Sequence, residues 1–92
     1  MILRPVSNGS VSSTGTLTIK SGILGGVLIT TNNTQAAVVE LRRDDANGTV
    51  LFDISTITAM WISAPFDMNR TTTLYYSVTG TGAAAAFYEW VT

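Results

Sequence analysis

Side chains that could perform chemistry are few in this 92-residue chain, because the sequence contains neither histidine nor cysteine. The missing histidine removes the commonest general base and the usual metal ligand. The missing cysteine removes disulfides, thiolate metal sites and thiol nucleophiles. Catalysis or metal binding would therefore depend on six carboxylates, five cations and the hydroxyl groups.

The adjacent carboxylates Asp44 and Asp45 are the first candidates for a metal site. They precede Asn47-Gly48, a dipeptide typical of tight turns, where an Asp side chain accepts local hydrogen bonds. A calcium loop needs oxygen ligands at a wider, ordered spacing, which residues 44–47 lack. We therefore predict a structural turn at this point and no metal site.

The remaining patterns also lack a catalytic arrangement. Asp53 and Glu89 could form an acid pair, but nothing in the sequence brings them together. No serine has a histidine partner, and the only lysine, Lys20, is not part of a Ser-x-x-Lys pattern. Residues 22–26 lack the Gly-Lys-Ser/Thr ending of a phosphate-binding loop. The sequence thus predicts a protein that is not an enzyme and uses no cofactor.

Charge disfavours nucleic acids as partners, and the length of the apolar runs disfavours a membrane. The net charge is −1, and charged residues make up 12% of the chain, about half the usual share. Arg42-Arg43 is compensated by the adjoining Asp44-Asp45, so no basic face for nucleic acid is expected. The apolar runs at residues 23–29 and 83–88 are too short to cross a bilayer. Residues 1–5 do not have the pattern of a signal peptide, so we expect a product of the cytoplasm.

The elements that must position these side chains are predicted to be strands. Fifteen threonines favour the pleated sheet, and Asn-, Gly- and Ser-rich turns divide the chain into short segments. Alternation of side chains with a period of two is found at residues 16–20, 35–43, 49–54, 58–66 and 72–78. Together with residues 23–31, residues 83–91 and the N-terminal segment, about seven or eight strands are expected.

This pattern predicts an all-β fold, an antiparallel β-sandwich with the jelly roll among the expected arrangements. The alanine run at residues 83–86 is assigned to a strand, not a helix, with small side chains where another surface packs closely. Residues 7–14 are rich in Ser, Gly and Asn, so we predict an N-terminal arm over residues 1–13. Residues 14–92 are predicted to form a single domain.

The apolar residues are too numerous for one face of each strand. Val38 adjoins Val39, Leu51 adjoins Phe52, and several aromatic residues lie opposite the aliphatic side of their strands. A free sandwich would carry polar residues at its outward positions, so we expect other protein chains to cover an outer face. Stacking of the aromatic residues on sugars is the alternative, which the shortage of hydrogen-bonding groups disfavours. The predicted interface residues are Ile2, Leu3, Val38, Leu51, Trp61, Tyr75, Tyr88 and Trp90.

The order of segments along the chain suggests a family. Gly-Thr-Leu-Thr-Ile-Lys at residues 15–20 is followed by Ser-Gly-Ile-Leu-Gly-Gly-Val-Leu-Ile at residues 21–29. A strand, an Asn-Gly turn and a strand occupy residues 36–54, and Leu-Tyr-Tyr-Ser-Val-Thr-Gly-Thr-Gly-Ala-Ala occupies residues 74–84. This order resembles the small β-sandwich virion proteins of tailed bacteriophages, especially the decoration (cement) proteins bound outside capsids.

The resemblance implies a virion structural protein without catalytic activity. Proteins of this kind are often homotrimers that clamp neighbouring major capsid proteins and so stabilise the shell. The same resemblance leaves open a tail, baseplate or fibre module that binds a receptor or a carbohydrate. An adaptor between rings of different symmetry is a third possibility.

Overall fold

The computed structural model describes residues 2–67 and 70–91, and in this part of the chain every regular element is a strand. Frequent threonine, valine and isoleucine favour this outcome, because their branched side chains fit the pleated sheet better than the helix. The strands are β1 (Ile2–Val11), β2 (Thr14–Ile19), β3 (Ile23–Thr30), β4 (Ala37–Arg43), β5 (Val50–Thr56), β6 (Met60–Asp67), β7 (Thr72–Thr79) and β8 (Ala84–Val91).

The strand pairs are nested, as if one long hairpin were wrapped around itself. Strand β1 pairs with β8, β2 with β7, β3 with β6 and β4 with β5, all antiparallel. Two further antiparallel pairs, β3–β8 and β4–β7, complete sheet A (order β1-β8-β3-β6) and sheet B (order β2-β7-β4-β5). Eight strands in this order form a jelly roll, which confirms the predicted all-β sandwich.

The core lies between the two sheets and consists of alternate side chains of each strand. The predicted alternation is confirmed in β2, β4 and β7, where the inward positions are buried and the outward ones are not. The alanine run belongs to β8, where Ala85 and Phe87 are buried, so the strand assignment is also confirmed. The largest fully buried side chains are Phe87, Ile19, Leu24, Ile29, Leu41, Leu74, Val27 and Val39.

The N-terminal segment is one of the seven or eight expected strands, but it is not an arm. The sequence predicts an arm or extension over residues 1–13, whereas residues 2–11 form β1, an edge strand of sheet A. Its first part, Ile2 to Pro5, pairs with β8, and the register shifts between Pro5 and Ser10. Val6 is buried in the core. Serine, asparagine and glycine favour a loop locally, but pairing with β8 and the burial of Val6 outweigh that preference. Met1 lies outside the described residues.

The connection between β4 and β5 contains the predicted Asn47-Gly48 turn, with a different geometry from a two-residue hairpin. The left-handed residue is Asp44, with φ of 71°. The Asp45 carboxylate accepts a hydrogen bond from the Asn47 backbone N–H at 2.9 Å. The Arg43 N–H donates to the Thr49 carbonyl at 2.9 Å and closes the loop. Asp45 therefore stabilises the turn, as the sequence predicts.

Candidate interaction surface

Large apolar side chains cover the outer side of sheet A. Leu3 of β1 pairs with Trp90 of β8, and Leu28 of β3 pairs with Trp61 of β6. Tyr88 of β8 pairs with Gly26 of β3. Because neighbouring strands present paired residues on the same side, these five large side chains share one surface. We call Leu3, Leu28, Trp61, Tyr88 and Trp90 the aromatic face.

Two glycines of β3 allow the rings to lie close to the sheet. A Cβ atom on Gly26 would lie 2.7 Å from Cζ2 of Trp61, so the indole covers this residue. A Cβ atom on Gly25 would meet the Leu3 side chain and would lie 3.2 Å from Cδ1 of Trp90. Gly25 is the extra residue of a bulge opposite β8, where glycine is typical. The consecutive glycines thus provide the space in which side chains of three neighbouring strands pack.

The aromatic face is partly open to solvent, and two of its rings pack against each other. The rings of Trp61 and Tyr88 are 5.5 Å apart and meet edge to face at 71°, a favourable arrangement for aromatic pairs. Leu28 is 38% exposed and Trp61 is 42% exposed. The described outward side chains of sheet A, on β1, β8, β3 and β6 as far as Ser63, include no charged group. An uncharged aromatic surface of this kind is typical of a protein interface.

The outer side of sheet B is largely polar, so the apolar outer face that the sequence predicts is mainly that of sheet A. Thr16 of β2 pairs with Tyr75 of β7, and Arg42 of β4 pairs with Tyr75 from the other side. The Arg42 guanidinium and the Glu40 carboxylate form an ion pair at 2.6 Å on this surface. The sequence cannot separate the two outer sides, because strands of both sheets are interspersed along the chain. The excess of apolar residues is concentrated on sheet A.

The predicted interface residues therefore divide into separate groups. Leu3, Trp61, Tyr88 and Trp90 lie together on the aromatic face. Val38 and Tyr75 lie on the opposite side of the molecule, on sheet B. Leu51 is half-buried against the core. Ile2 is exposed at the end of β1, one residue out of phase with Leu3.

Sequence reasoning missed Leu28, Gly25 and Gly26 as parts of this surface. A signal exists for the glycines, because a glycine inside a strand pattern indicates a bulge or a close approach of another group. Leu28 has no such signal in the sequence. That it lies on the same side of the sheet as Trp61 follows only from the pairing of β3 with β6.

Glu89 is a second feature of the site, and the sequence gives neither its burial nor its partners. It follows Ala85 and Phe87 on the inward side of β8, and only 4% of its side chain is exposed. Its Oε1 accepts a hydrogen bond from the Ser21 backbone N–H at 2.9 Å, and its Oε2 accepts one from Nη2 of Arg4 at 3.3 Å. Glu89 thereby connects β8 to β1 and to the turn between β2 and β3.

The surroundings of Glu89 keep its carboxyl group ionised at neutral pH. Burial raises the pKa of Glu89, but hydrogen bonds from the Ser21 N–H and hydroxyl and from Arg4, with the Arg4 charge, lower the pKa by more. The net effect is a pKa below the ordinary 4.5. A cavity of about 140 Å³ beside the carboxylate is lined by Arg4, Pro5, Thr18, Lys20 and Glu89. The arrangement is that of a structural ion pair at the edge of the core.

The possible acid pair of Asp53 and Glu89 is not assembled. Asp53 belongs to β5 of sheet B, where it lies opposite Glu40 in the β4–β5 register, whereas Glu89 belongs to β8 of sheet A. Within residues 2–67 and 70–91, no group of three or more carboxylates is arranged to hold a metal ion. The same residues include no helix of the length and hydrophobicity needed to cross a membrane.

The charged residues are concentrated at one end of the sandwich. All five cations lie there, near the start of β1 and near the connections β2–β3, β4–β5 and β6–β7, together with the acids Asp44, Asp45 and Glu89. The connections at the other end, residues 12–13, 31–36, 57–59 and 80–83, contain no charged residue. They are held by local hydrogen bonds, such as those that the Asn32 carbonyl oxygen Oδ1 accepts from the N–H groups of Thr34 and Gln35, both at 3.0 Å.

Comparison with known proteins gives no relative: no protein family, curated protein or solved structure matches the chain. The fold and the surface therefore define the class of this protein by themselves. It is an eight-stranded jelly-roll sandwich with one polar and one aromatic outer side.

Proposed function

We propose that this protein is a non-enzymatic structural component of a phage virion, which binds the outer surface of the capsid and stabilises the shell. The observation that carries the proposal is the uncharged aromatic face of sheet A. A soluble sandwich with no partner would carry polar groups there, as the outer side of sheet B does. The resemblance of the segment order to decoration proteins supplies the setting, and jelly rolls are common in viral shells.

The size of the aromatic face supports a contact with another protein chain of the assembly. Four strands about 4.8 Å apart and about eight residues long give the whole outer side of sheet A an area of roughly 500 Å², of which the aromatic face is a part. Covering all of that area would contribute at most roughly 12 kcal/mol at 25 cal/mol per Å². Association costs about 4–15 kcal/mol, so one such contact is weak by itself. An assembly in which each chain makes several contacts at once converts weak contacts into stable attachment.

The absence of catalysis is part of the proposal. Glu89 is ionised and engaged by Ser21 and Arg4, so it is poorly suited to transfer protons. Asp53 lies on the other sheet. In this proposal the carboxylates stabilise the sandwich and its turns, and the protein acts through its surface.

Location in the particle tests the proposal. Antibodies against the purified chain are applied, with gold labelling, to phage particles that encode it, and the particles are imaged by electron microscopy. We expect label over the whole capsid surface. Label confined to the tail, or particles without label, would contradict a role in capsid decoration.

A tail or fibre module that binds carbohydrate is the second candidate, favoured by the exposed indole of Trp61. Aromatic rings stack on sugar rings, but only Thr30 and Ser63 offer hydroxyl groups at the nearest described outward positions of β3 and β6. A glycan array separates the candidates. Binding that disappears in Trp61→Ala but persists in Tyr75→Phe, on the opposite sheet, would favour the carbohydrate function.

A further inference from the structure

We infer that the aromatic face binds a second copy of this chain, with the two copies of sheet A packed face to face about a two-fold axis. The inference rests on the proposed function in one respect, namely that protein covers the aromatic face. It goes further by naming the neighbour. The other surfaces of the molecule then remain available for the capsid.

The chemistry of the aromatic face selects an equally uncharged partner. Charged groups normally guide partner choice at an interface, and the described outward residues of sheet A provide none. The outer side of sheet B carries Glu40 and Arg42, so it does not match. The aromatic face of another copy does match, because apolar and aromatic residues are characteristic of interfaces between identical chains.

The area is also consistent with pairing between copies. The whole outer side of sheet A, roughly 500 Å², is about a tenth of the 4829 Å² surface of the chain. Stable interfaces of small proteins occupy about a tenth of the surface of each partner. Two copies packed through sheet A would bury at most roughly 1,000 Å² in total, which is near the lower limit for a specific interface. We therefore expect a dimer that dissociates on dilution.

Symmetry favours two copies over three. A two-fold interface uses the same patch on both chains, whereas a closed ring of three needs two different complementary patches on each chain. The described surface provides one aromatic face, and the exposed large apolar side chains on the outer side of sheet B are two valines, Val38 and Val50, which share it with the Glu40–Arg42 ion pair. This differs from the homotrimer that the resemblance to decoration proteins implies.

Sedimentation of the full chain tests the inference with a matched pair of variants. Leu28 on sheet A and Val38 on sheet B are 38% and 37% exposed, and both lie within strands. Leu28→Lys would place two unpaired charges in the two-fold interface, so we expect dimerisation to weaken more than about 100-fold. Val38→Lys should dimerise like the unmodified chain.

The measurement covers about 1 µM to about 1 mM protein, and circular dichroism checks that each variant is folded. Thr30→Lys, at an exposed outward position of β3, provides a second disruption in case Leu28→Lys does not fold. A dimer that Leu28→Lys or Thr30→Lys dissociates and Val38→Lys does not supports the inference. A monomer throughout, a trimer, or equal effects of Val38→Lys and the sheet A variants would overturn it.

The inference and the proposed function can fail separately. Gold label on capsids together with a monomeric purified chain would leave the decoration role and remove the dimer. A dimer that depends on Leu28, together with particles without label, would leave the dimer and remove the virion role.

Discussion

Replacing Glu89 by glutamine tests whether the ionised carboxylate holds the edge of the sandwich together. Glutamine has the same shape and keeps one oxygen for the Ser21 N–H. The amide has no charge, and if its oxygen faces Ser21, its NH₂ group faces the Arg4 guanidinium, which is also a donor. The variant therefore weakens the hydrogen bond from the Ser21 N–H to β8 and breaks the one from Arg4.

The magnitude follows from the two hydrogen bonds. A hydrogen bond to a charged group contributes about 1.5–3 kcal/mol and a neutral one about 0.5–1.5 kcal/mol, so the Ser21 bond loses about 1 kcal/mol. The Arg4 side chain is 48% exposed, so solvent screening limits its loss to about 0.5 kcal/mol. With some relief of the desolvation cost of the charge, we expect a loss of about 1–2 kcal/mol in the free energy of unfolding. For a domain of this size, 1 kcal/mol corresponds to about 4–8 °C in Tm.

Urea unfolding between about pH 8 and about pH 3 measures this effect, because the contribution of Glu89 depends on its ionisation. The pKa of Glu89 is lowered in the folded chain, so its stabilisation is fully present above the ordinary value of 4.5 and is lost as pH falls through the folded-state pKa. The difference between the unmodified chain and Glu89→Gln should be constant near neutrality and shrink below about pH 4.5.

Glu40→Gln is the control for this experiment. Glu40 also pairs with an arginine, at 2.6 Å, but Arg42 belongs to the same strand, so the pair connects no separate elements. Both side chains are 28% exposed, and we expect a loss of at most about 1 kcal/mol. Equal stabilities of Glu89→Gln and the unmodified chain at neutral pH, or a difference that does not change with pH, would refute the structural role of the Glu89 charge.

Three further predictions concern packing and can be checked by urea unfolding with circular dichroism. Gly26→Ala should lower the free energy of unfolding by about 2–3 kcal/mol, because the new methyl group meets the Ile62 carbonyl oxygen of the backbone. Gly25→Ala should lower it by less than about 1 kcal/mol, because its methyl group meets a Leu3 methyl group that can move. Equal losses would contradict this account of the two glycines. Phe87→Ala should cost about 3–5 kcal/mol through the cavity it leaves in the core, and a smaller loss would place Phe87 outside the core. Deleting residues 2–5 should lower the free energy of unfolding and speed amide hydrogen exchange at their pairing partners, residues 88–91. Unchanged exchange would show that pairing with β1 does not protect β8.

Much of the fold could be predicted from the sequence because the strands have short, regular alternation. Residues 35–43 show this well, since Ala37, Val39 and Leu41 occupy alternate positions and all three are buried. The Asn47-Gly48 hairpin was also recognisable, because turn chemistry acts over a few residues. The N-terminal segment was recognisable only as one of the expected strands and not in its pairing, because the partner of β1 is β8, more than 70 residues away in the chain.

The interaction surface was predictable only in part, since alternation shows that a residue points away from its own neighbours but not which sheet it belongs to. Trp61, Tyr75, Tyr88 and Trp90 look equivalent in the sequence, yet Tyr75 lies on sheet B and the other three on sheet A. The order of the strands in the two sheets determines which of these aromatic residues lie together. That order results from pairing between segments far apart in the sequence.

The sequence by itself determined that this protein is a β-sandwich with few charges and more apolar residues than one core requires. Threonine-rich strands, frequent turns and a period of two are local properties, so they can be seen without a fold. The tertiary structure decided where the excess lies. Wrapping of the nested pairs brings Leu3, Trp61, Tyr88 and Trp90 together over Gly25 and Gly26, and places the Glu89 charge against Arg4. These contacts depend on strands far apart in the chain, and only the folded chain creates them.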